Sequence, residues 1–200
     1  YHLLRSGARG DVLMLTPVAR AMKQQDPQCR IEIWTHSPDL IHSDYVDATH
    51  LVPSPANWPP DLHAHMLRGD KILDFDLAYE RRPKIHAVQA YADIAGVTVG
   101  NTRPDIRVTA DQVDRAKQLV QHKQIVLLDY GTSWKNREWP LEFYARTAAA
   151  IRDMGLEPVA IGLGREVPAD MLHVKAQTMI ELVPLFAFAR AFVGHDGAWM

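Results

Sequence analysis

Three glycine-bearing segments contain the side chains best suited to chemistry. The first, at 6–11, reads Ser-Gly-Ala-Arg-Gly-Asp and ends in a carboxylate. Its glycines would let the backbone approach a ligand, and free N–H groups at a helix start attract anions. Asp11 would put a carboxylate where a phosphate would bind, which disfavours a phosphate there. Its position suits instead a base or a residue that binds hydroxyl groups. The alternative is that Asp11 only caps the helix, where the helix dipole favours negative charge.

The second segment, at 130–140, reads Tyr-Gly-Thr-Ser-Trp-Lys-Asn-Arg-Glu-Trp-Pro. Its hydroxyl groups at Thr132 and Ser133 and its guanidinium at Arg137 could together bind a diphosphate through several charge-assisted hydrogen bonds. The alternative is a solvated turn in which Trp139 and Pro140 pack against the next helix.

The third segment, at 194–198, reads Gly-His-Asp-Gly-Ala. Its glycines would expose backbone N–H groups to a second face of the same anion. Taken alone, this pattern is a weak signal.

The sequence gives little support for a metal site. Asp74-Phe75-Asp76 has the D-x-D pattern of one class of metal-dependent sugar transferases, but its neighbours are typical of a strand. His63 and His65 are two residues apart, so a helix would point them in different directions, and no His-Glu-x-x-His motif occurs. We therefore expect neither a metal nor a cofactor, and we expect most of the ten histidines to lie on the surface.

The pair Gly162 and Gly164 lacks the third glycine of a dinucleotide-binding fingerprint, which argues against an NAD-dependent oxidoreductase. Glu166, just after it, could bind ribose hydroxyl groups or be an ordinary surface glutamate.

Composition excludes several classes of protein. With 47% hydrophobic and 23% charged residues the chain is globular rather than disordered. A net charge of −2 provides no overall positive field for a nucleic acid. A single cysteine, Cys29, excludes an internal disulfide and suits a reducing compartment. We find no apolar run long enough to span a membrane and no signal-peptide pattern, so we expect a cytoplasmic protein.

These segments must be positioned by two alternating series of strands and helices. In the first series the patterns predict strands at 1–5, 30–35 and 71–79, helices from Thr16-Pro17, at 85–95 and at 111–122, and a proline-rich loop at 50–70. In the second they predict strands at 124–129, 158–161 and 191–193 and helices at 141–154 and 179–188.

We therefore predict two α/β domains with parallel sheets, 1–122 and 123–200. Ligands of such sheets sit beyond the carboxyl ends of the strands, and all three glycine-bearing segments fall on that side.

Taken in order, the three segments resemble those of glycosyltransferase family 9, the ADP-heptose:lipopolysaccharide heptosyltransferases. The resemblance rests on RSGARGDVLMLTPVARAMK at 5–23, YGTSWKNREWP at 130–140 and VGHDGAWM at 193–200. It implies the GT-B fold, two Rossmann-like domains, with the acceptor bound by the first and the nucleotide sugar by the second. We expect the second domain to be incomplete within these 200 residues.

The resemblance also implies an inverting, metal-independent transfer of a heptose-like sugar from an ADP-sugar donor to a glycan acceptor such as lipopolysaccharide core. The acceptor could be lipid-linked, which would place the protein at the inner face of the bacterial inner membrane. Two alternatives remain: a relative or fragment that binds nucleotide without catalysis, and a family member that glycosylates a protein.

Residue roles carried over by the resemblance fall into four groups. Asp11 matches the family's catalytic base, while Arg137 departs from a position that is commonly lysine. The other matches are the donor phosphate residues Gly131, Thr132, Ser133, Arg137, Asp196, Gly197 and Ala198, the nucleoside residues Glu166, Thr178 and Met179, and the acceptor-side loop residues Ser6, Gly7, Arg9 and Gly10.

Overall fold

Two compact units, Tyr1–Arg107 and Val108–Met200, make up the chain. The computed structural model describes residues 1–52, 64–65, 68–121, 123–130, 139–162, 167, 170–176 and 178–195. Each unit contains a four-stranded sheet in which every strand pairing is parallel. The predicted α/β class with two parallel sheets is confirmed.

The first unit has the strand order β3-β2-β1-β4. Its elements are β1 (His2–Leu4), α1 (Arg9–Leu13), α2 (Thr16–Gln25), β2 (Glu32–Thr35), a 3₁₀ turn (Pro38–Leu40), β3 (Ala48–Leu51), β4 (Ile72–Asp74) and α3 (Ala87–Ala95).

Local sequence explains the ends of these helices. Pro17 lies in the first turn of α2, where a missing N–H leaves no hydrogen bond unmade. The His86 side chain accepts a hydrogen bond from the Val88 N–H at the start of α3. Gly96 ends α3 in the left-handed conformation with φ 70°, which glycine adopts without strain. The predicted helix at 85–95 is thus confirmed.

Two predictions for the first unit are corrected. β3 extends into the region predicted as a loop from residue 50, since His50 and Leu51 pair with β2. The strand predicted at 71–79 ends at Asp74, because the Asp74 carboxylate accepts a hydrogen bond from the Asp76 N–H at 2.9 Å and turns the chain.

The second unit has the strand order β7-β6-β5-β8. Its elements are α4 (Ala110–Val120), β5 (Ile125–Asp129), α5 (Leu141–Asp153), β6 (Glu157–Gly162), β7 (Leu172–Lys175), two 3₁₀ helices (Met179–Glu181 and Val183–Ala187) and β8 (Ala189–Val193).

Helix α4 packs with the second unit. A reciprocal pair of hydrogen bonds between Thr109 and Gln112 starts it. Its buried residues Ala116 and Val120 share one core cluster with Ile125 of β5. This packing explains why the compact units divide before α4, whereas the sequence placed the boundary after residue 122.

The helix predicted at 179–188 is present as the two 3₁₀ helices and not as one continuous helix. Its hydrogen bonds join residues three apart, with Leu185 N–H donating to the Leu182 carbonyl at 3.0 Å. Pro184 has no N–H to donate and so interrupts an α-helical ladder. Strand β7, which has no counterpart in the predicted elements, pairs with β6 at the edge of the sheet.

Gly194 allows the end of β8 to approach β5 closely. A methyl group added at Gly194 would lie 2.8 Å from Asp129 Cβ and would also clash with the Phe192 ring. Glycine is therefore required here by space, and Gly194 is part of the sheet packing.

We expect Gly194→Ala to lower the free energy of unfolding by about 1–3 kcal/mol, because the added methyl overpacks the sheet. Urea denaturation followed by circular dichroism would measure the change. Gly100→Ala is the matched control, since nothing lies within 4 Å of a methyl group at that position. Equal stability of the two variants would contradict the steric requirement at Gly194.

Candidate functional site

A buried arginine organises the carboxyl end of the sheet in the first unit. Arg5 follows β1 directly and is only 3% exposed. Its Nη1 donates to the Phe75 carbonyl at 3.1 Å, and its Nη2 donates to Glu80 Oε1 at 2.7 Å and to Asp11 Oδ2. The guanidinium also lies over the ring of Tyr79, 5.4 Å from its centroid. Segments distant in sequence thus meet at one buried charge.

Both carboxylate oxygens of Asp11 are held. Oδ2 accepts from Arg5, and Oδ1 accepts from the Tyr79 hydroxyl at 2.9 Å. Asp11 lies in the first turn of α1, but no side chain caps that helix. Asp11 thus has the first-turn position that the helix dipole favours but makes no capping hydrogen bond, and its described partners are the side chains of Arg5 and Tyr79.

The protonation states of Arg5 and Tyr79 suit their hydrogen bonds to Asp11. Burial by itself would lower the pKa of Arg5, but the hydrogen bonds to Glu80 and Asp11 outweigh it and raise the pKa. Burial and the bond to Asp11 raise the pKa of Tyr79 to about 12. Arg5 stays charged and Tyr79 stays a donor at neutral pH. The Asp11 side chain keeps 19% of its surface exposed, so a hydroxyl-bearing ligand can reach it.

A second carboxylate shapes the loop that leads to Asp11. Asp76 accepts from the Ser6 N–H at 2.9 Å and from the Ser6 hydroxyl at 2.5 Å. Burial raises the pKa of its neighbour Asp74, whose Oδ1 accepts from the Asp76 N–H. The Asp74-Phe75-Asp76 motif thus positions the loop at residue 6.

The rest of the loop that is predicted to face the acceptor is open. A methyl group added at Gly7 would meet nothing within 4 Å, Arg9 is exposed, and Gly10 is half-buried. Ala8 has a positive φ of 20°, which marks a tight turn between β1 and α1. The structure therefore joins Asp11 to Arg5 by a hydrogen bond, links Ser6 to Arg5 through the ion pair of Asp76 at 3.7 Å, and leaves Gly7 and Arg9 at the surface of this cluster.

In the second unit, most predicted donor residues lie outside the described residues; these are Gly131, Thr132, Ser133, Arg137, Glu166, Asp196, Gly197 and Ala198. Thr178 is half-buried and precedes the first 3₁₀ helix, whereas Met179 is buried. The side chain of Met179 therefore packs inside the unit, and only its backbone is available to a nucleoside.

His195, which follows Gly194 at the carboxyl end of β8, is held by an aromatic pair. The Tyr144 hydroxyl and His195 Nε2 are 2.7 Å apart. Tyr144 stacks on Tyr130 with ring centroids 4.0 Å apart. The segment at 194–198 therefore begins from a fixed histidine, a constraint that the sequence pattern did not reveal.

One histidine departs from the surface position expected for most of them. His2 is buried, and one ligand atom each of His2, Glu32 and His65 lies within 4.8 Å of the others. Sequence reasoning missed this cluster because its members come from three separate segments, and no spacing rule links them.

Comparison with solved structures identifies the fold. A family 9 glycosyltransferase from Veillonella parvula DSM 2008 matches 100% of this chain and 75% of its own, with a TM-score of 0.73 and 12% identity. The chain has the fold of the family 9 glycosyltransferases. The ADP-heptose lipopolysaccharide heptosyltransferase II of E. coli matches 99% of this chain and 80% of its own, with a TM-score of 0.67 and 17% identity.

The E. coli heptosyltransferase WaaC, solved with ADP, matches 99% of this chain and 81% of its own, with a TM-score of 0.65 and 12% identity. No protein-family model matches the sequence, and a search of curated proteins finds no significant match. The family 9 fold is therefore recognised through structure and through the order of the three segments.

We expect Arg5→Met to lower the free energy of unfolding by about 3–5 kcal/mol, because it leaves the carboxylates of Asp11 and Glu80 without their buried partner. Thermal and urea denaturation would measure the loss. Arg81→Met, at an exposed position in the same turn region, should change stability by less than about 0.5 kcal/mol. Similar small effects for both variants would show that the Arg5 cluster does not hold the first unit together.

Proposed function

We propose that this protein is an inverting glycosyltransferase that transfers a heptose-like sugar from an ADP-sugar donor to a glycan acceptor such as lipopolysaccharide core. The observation that carries the proposal is the position of Asp11. Its carboxylate lies just beyond β1, with one oxygen bound to Arg5, the other bound to Tyr79 and part of its surface exposed. The family 9 fold places this protein among structures that include ADP-heptose heptosyltransferases.

Asp11 acts as the general base of the transfer. Its carboxylate takes the proton of an acceptor hydroxyl as that oxygen attacks the anomeric carbon from the face opposite the departing ADP. The new oxygen–carbon bond forms as the bond between the anomeric carbon and the phosphate oxygen breaks. Arg5 and Tyr79 hold the carboxylate in one orientation, so its free lone pairs point in a defined direction when the hydroxyl arrives.

The donor site is proposed from residue chemistry. Thr132, Ser133 and Arg137, with backbone N–H groups at 131–133 and 196–198, provide donors for a leaving diphosphate and stabilise its charge without a metal at the reaction centre. Glu166 and the backbone at Thr178 and Met179 bind the nucleoside. The structure of WaaC with ADP supports a nucleotide-sugar donor for this fold.

The acceptor binds through the loop at Ser6, Gly7, Arg9 and Gly10. Arg9 is exposed and Gly7 leaves room beside the backbone, so the loop can approach a sugar closely. No helix among the described residues is long and apolar enough to cross a membrane. A lipid-linked acceptor would bring the protein to the inner face of the bacterial inner membrane as a peripheral protein.

Asp11→Asn should reduce sugar transfer by about 100- to 10,000-fold, because an amide cannot take up the proton. Its affinity for ADP should stay unchanged, and its melting temperature should show that it folds. A transfer assay with ADP-heptose and a lipopolysaccharide core acceptor, run beside calorimetric ADP titrations, would measure both quantities.

Asp114→Asn is the matched control, because Asp114 is exposed on α4. It should keep full activity. Transfer by Asp11→Asn at the rate of this control would exclude Asp11 as the base.

Calorimetric titration of the unaltered protein with ADP also separates catalysis from binding alone. We expect saturable binding of ADP and turnover of ADP-heptose, because the donor residues and Asp11 are all in the chain. Binding without turnover of any glycan or protein acceptor would favour a nucleotide-binding module instead. Absence of both would contradict the donor assignment.

A further inference from the structure

Three potential metal ligands meet at the amino end of the first sheet. His2 begins β1, Glu32 begins β2, and the two are paired in the parallel register. His65 reaches the same place from the segment before β4, with its ring centroid 4.0 Å from that of His2. Two of the three residues lie on a rigid sheet, so their relative position is fixed by backbone pairing.

Their spacing suits a shared ion better than direct hydrogen bonds. One ligand atom each of His2, Glu32 and His65 lies within 4.8 Å of the other two. His2 Nδ1 and Glu32 Oε2 are 3.7 Å apart, which is too long for a hydrogen bond. Around a tetrahedral zinc with bonds of about 2.0–2.1 Å, two ligand atoms stand about 3.3 Å apart, so the His2–Glu32 pair is within a few tenths of an ångström of that spacing.

The His2 ring is held by the indole of Trp34. The Trp34 indole N–H donates to His2 Nδ1 at 3.1 Å, so the lone pair of this nitrogen is in use. A cation at Nδ1 therefore has to displace the indole N–H.

Asp70 and Arg68 both contact the Nδ1 of His65. Asp70 Oδ2 and Arg68 Nη2 each lie 2.8 Å from it. When Nδ1 carries the proton it donates to Asp70 and leaves Nε2 with a lone pair, and when Nδ1 is unprotonated it accepts from Arg68. A cation at Nε2 requires the first form, in which a carboxylate supports the ligating imidazole.

We propose that His2, Glu32 and His65 bind one divalent transition-metal cation, with zinc as the preferred ion. Two imidazoles and one carboxylate are donors that suit zinc, whereas magnesium prefers oxygen ligands and retains its water. Asp70 orients His65, and water completes the coordination.

This site is separate from the Asp11 cluster, and the proposal does not depend on the proposed function. His2 and Arg5 lie at opposite ends of β1, about 10 Å apart at about 3.3 Å per residue. The ion would attach the segment that carries His65 and Asp70 to the amino end of the sheet. Its effect is therefore on the stability of the first unit.

Equilibrium dialysis of tag-free protein, stripped with a chelator, against zinc chloride would test the proposal. We expect one zinc per chain, no binding of magnesium, and a rise in melting temperature as zinc is added, since binding to the folded state stabilises it. His65→Gln and Glu32→Gln should each weaken zinc binding at least about tenfold and remove the thermal shift.

His36→Gln is the matched control, because His36 is exposed and outside the cluster. It should bind zinc like the unaltered protein. His65 is half-buried, so His65→Gln should fold even if the more deeply buried Glu32→Gln does not. Zinc binding by folded His65→Gln with unaltered affinity, or no zinc binding by the unaltered protein, would overturn the proposal.

Discussion

The buried guanidinium of Arg5 is the interaction on which the first unit depends. A charge removed from water destabilises a fold by several kcal/mol unless it is paired and hydrogen-bonded. Arg5 satisfies this requirement with Glu80, Asp11 and the Phe75 carbonyl, which come from the turn after β4, from α1 and from the chain just beyond β4. The same pairing that makes the charge tolerable therefore decides where the Asp11 carboxylate lies.

The pairing around Arg5 is incomplete. Arg5 Nε and the Tyr91 hydroxyl are buried and have no hydrogen-bond partner among the described residues, although the guanidinium lies 5.9 Å from the centroid of the Tyr91 ring. Burial raises the pKa of Tyr91 strongly, so the hydroxyl stays neutral. Most buried polar atoms in proteins are satisfied, and exceptions concentrate where a fold serves a ligand. This polar centre has the character of a site rather than of an ordinary core.

How far the sequence predicts this structure depends on the range of the interactions. The apolar run at 125–129 and the glycine after α3 are local signals, and both predicted their elements. The two 3₁₀ helices depend on Pro184 and on packing against α4. The hydrophobic periodicity of the segment carries no information about that tertiary packing. For the candidate site, Asp11 was recognisable from its glycine-bearing turn. Its partners Tyr79 and Glu80 were not, because they reach it only through the tertiary turn after β4.

Polar groups at both ends of β1 also determine how this strand pairs. Leu3 and Leu4 are both buried, so hydrophobic pattern alone does not distinguish the two faces of so short a strand. If β1 shifted by one residue against its neighbouring strands, His2 and Arg5 would each move to the opposite face of the sheet. Both the hydrogen bond from Trp34 to His2 and the one from Arg5 to Asp11 would then be lost. The side chains of Arg5 and His2 thus fix the register of β1 from both of its ends. A misaligned sheet would be disfavoured by unpaired polar groups rather than by exposed leucines.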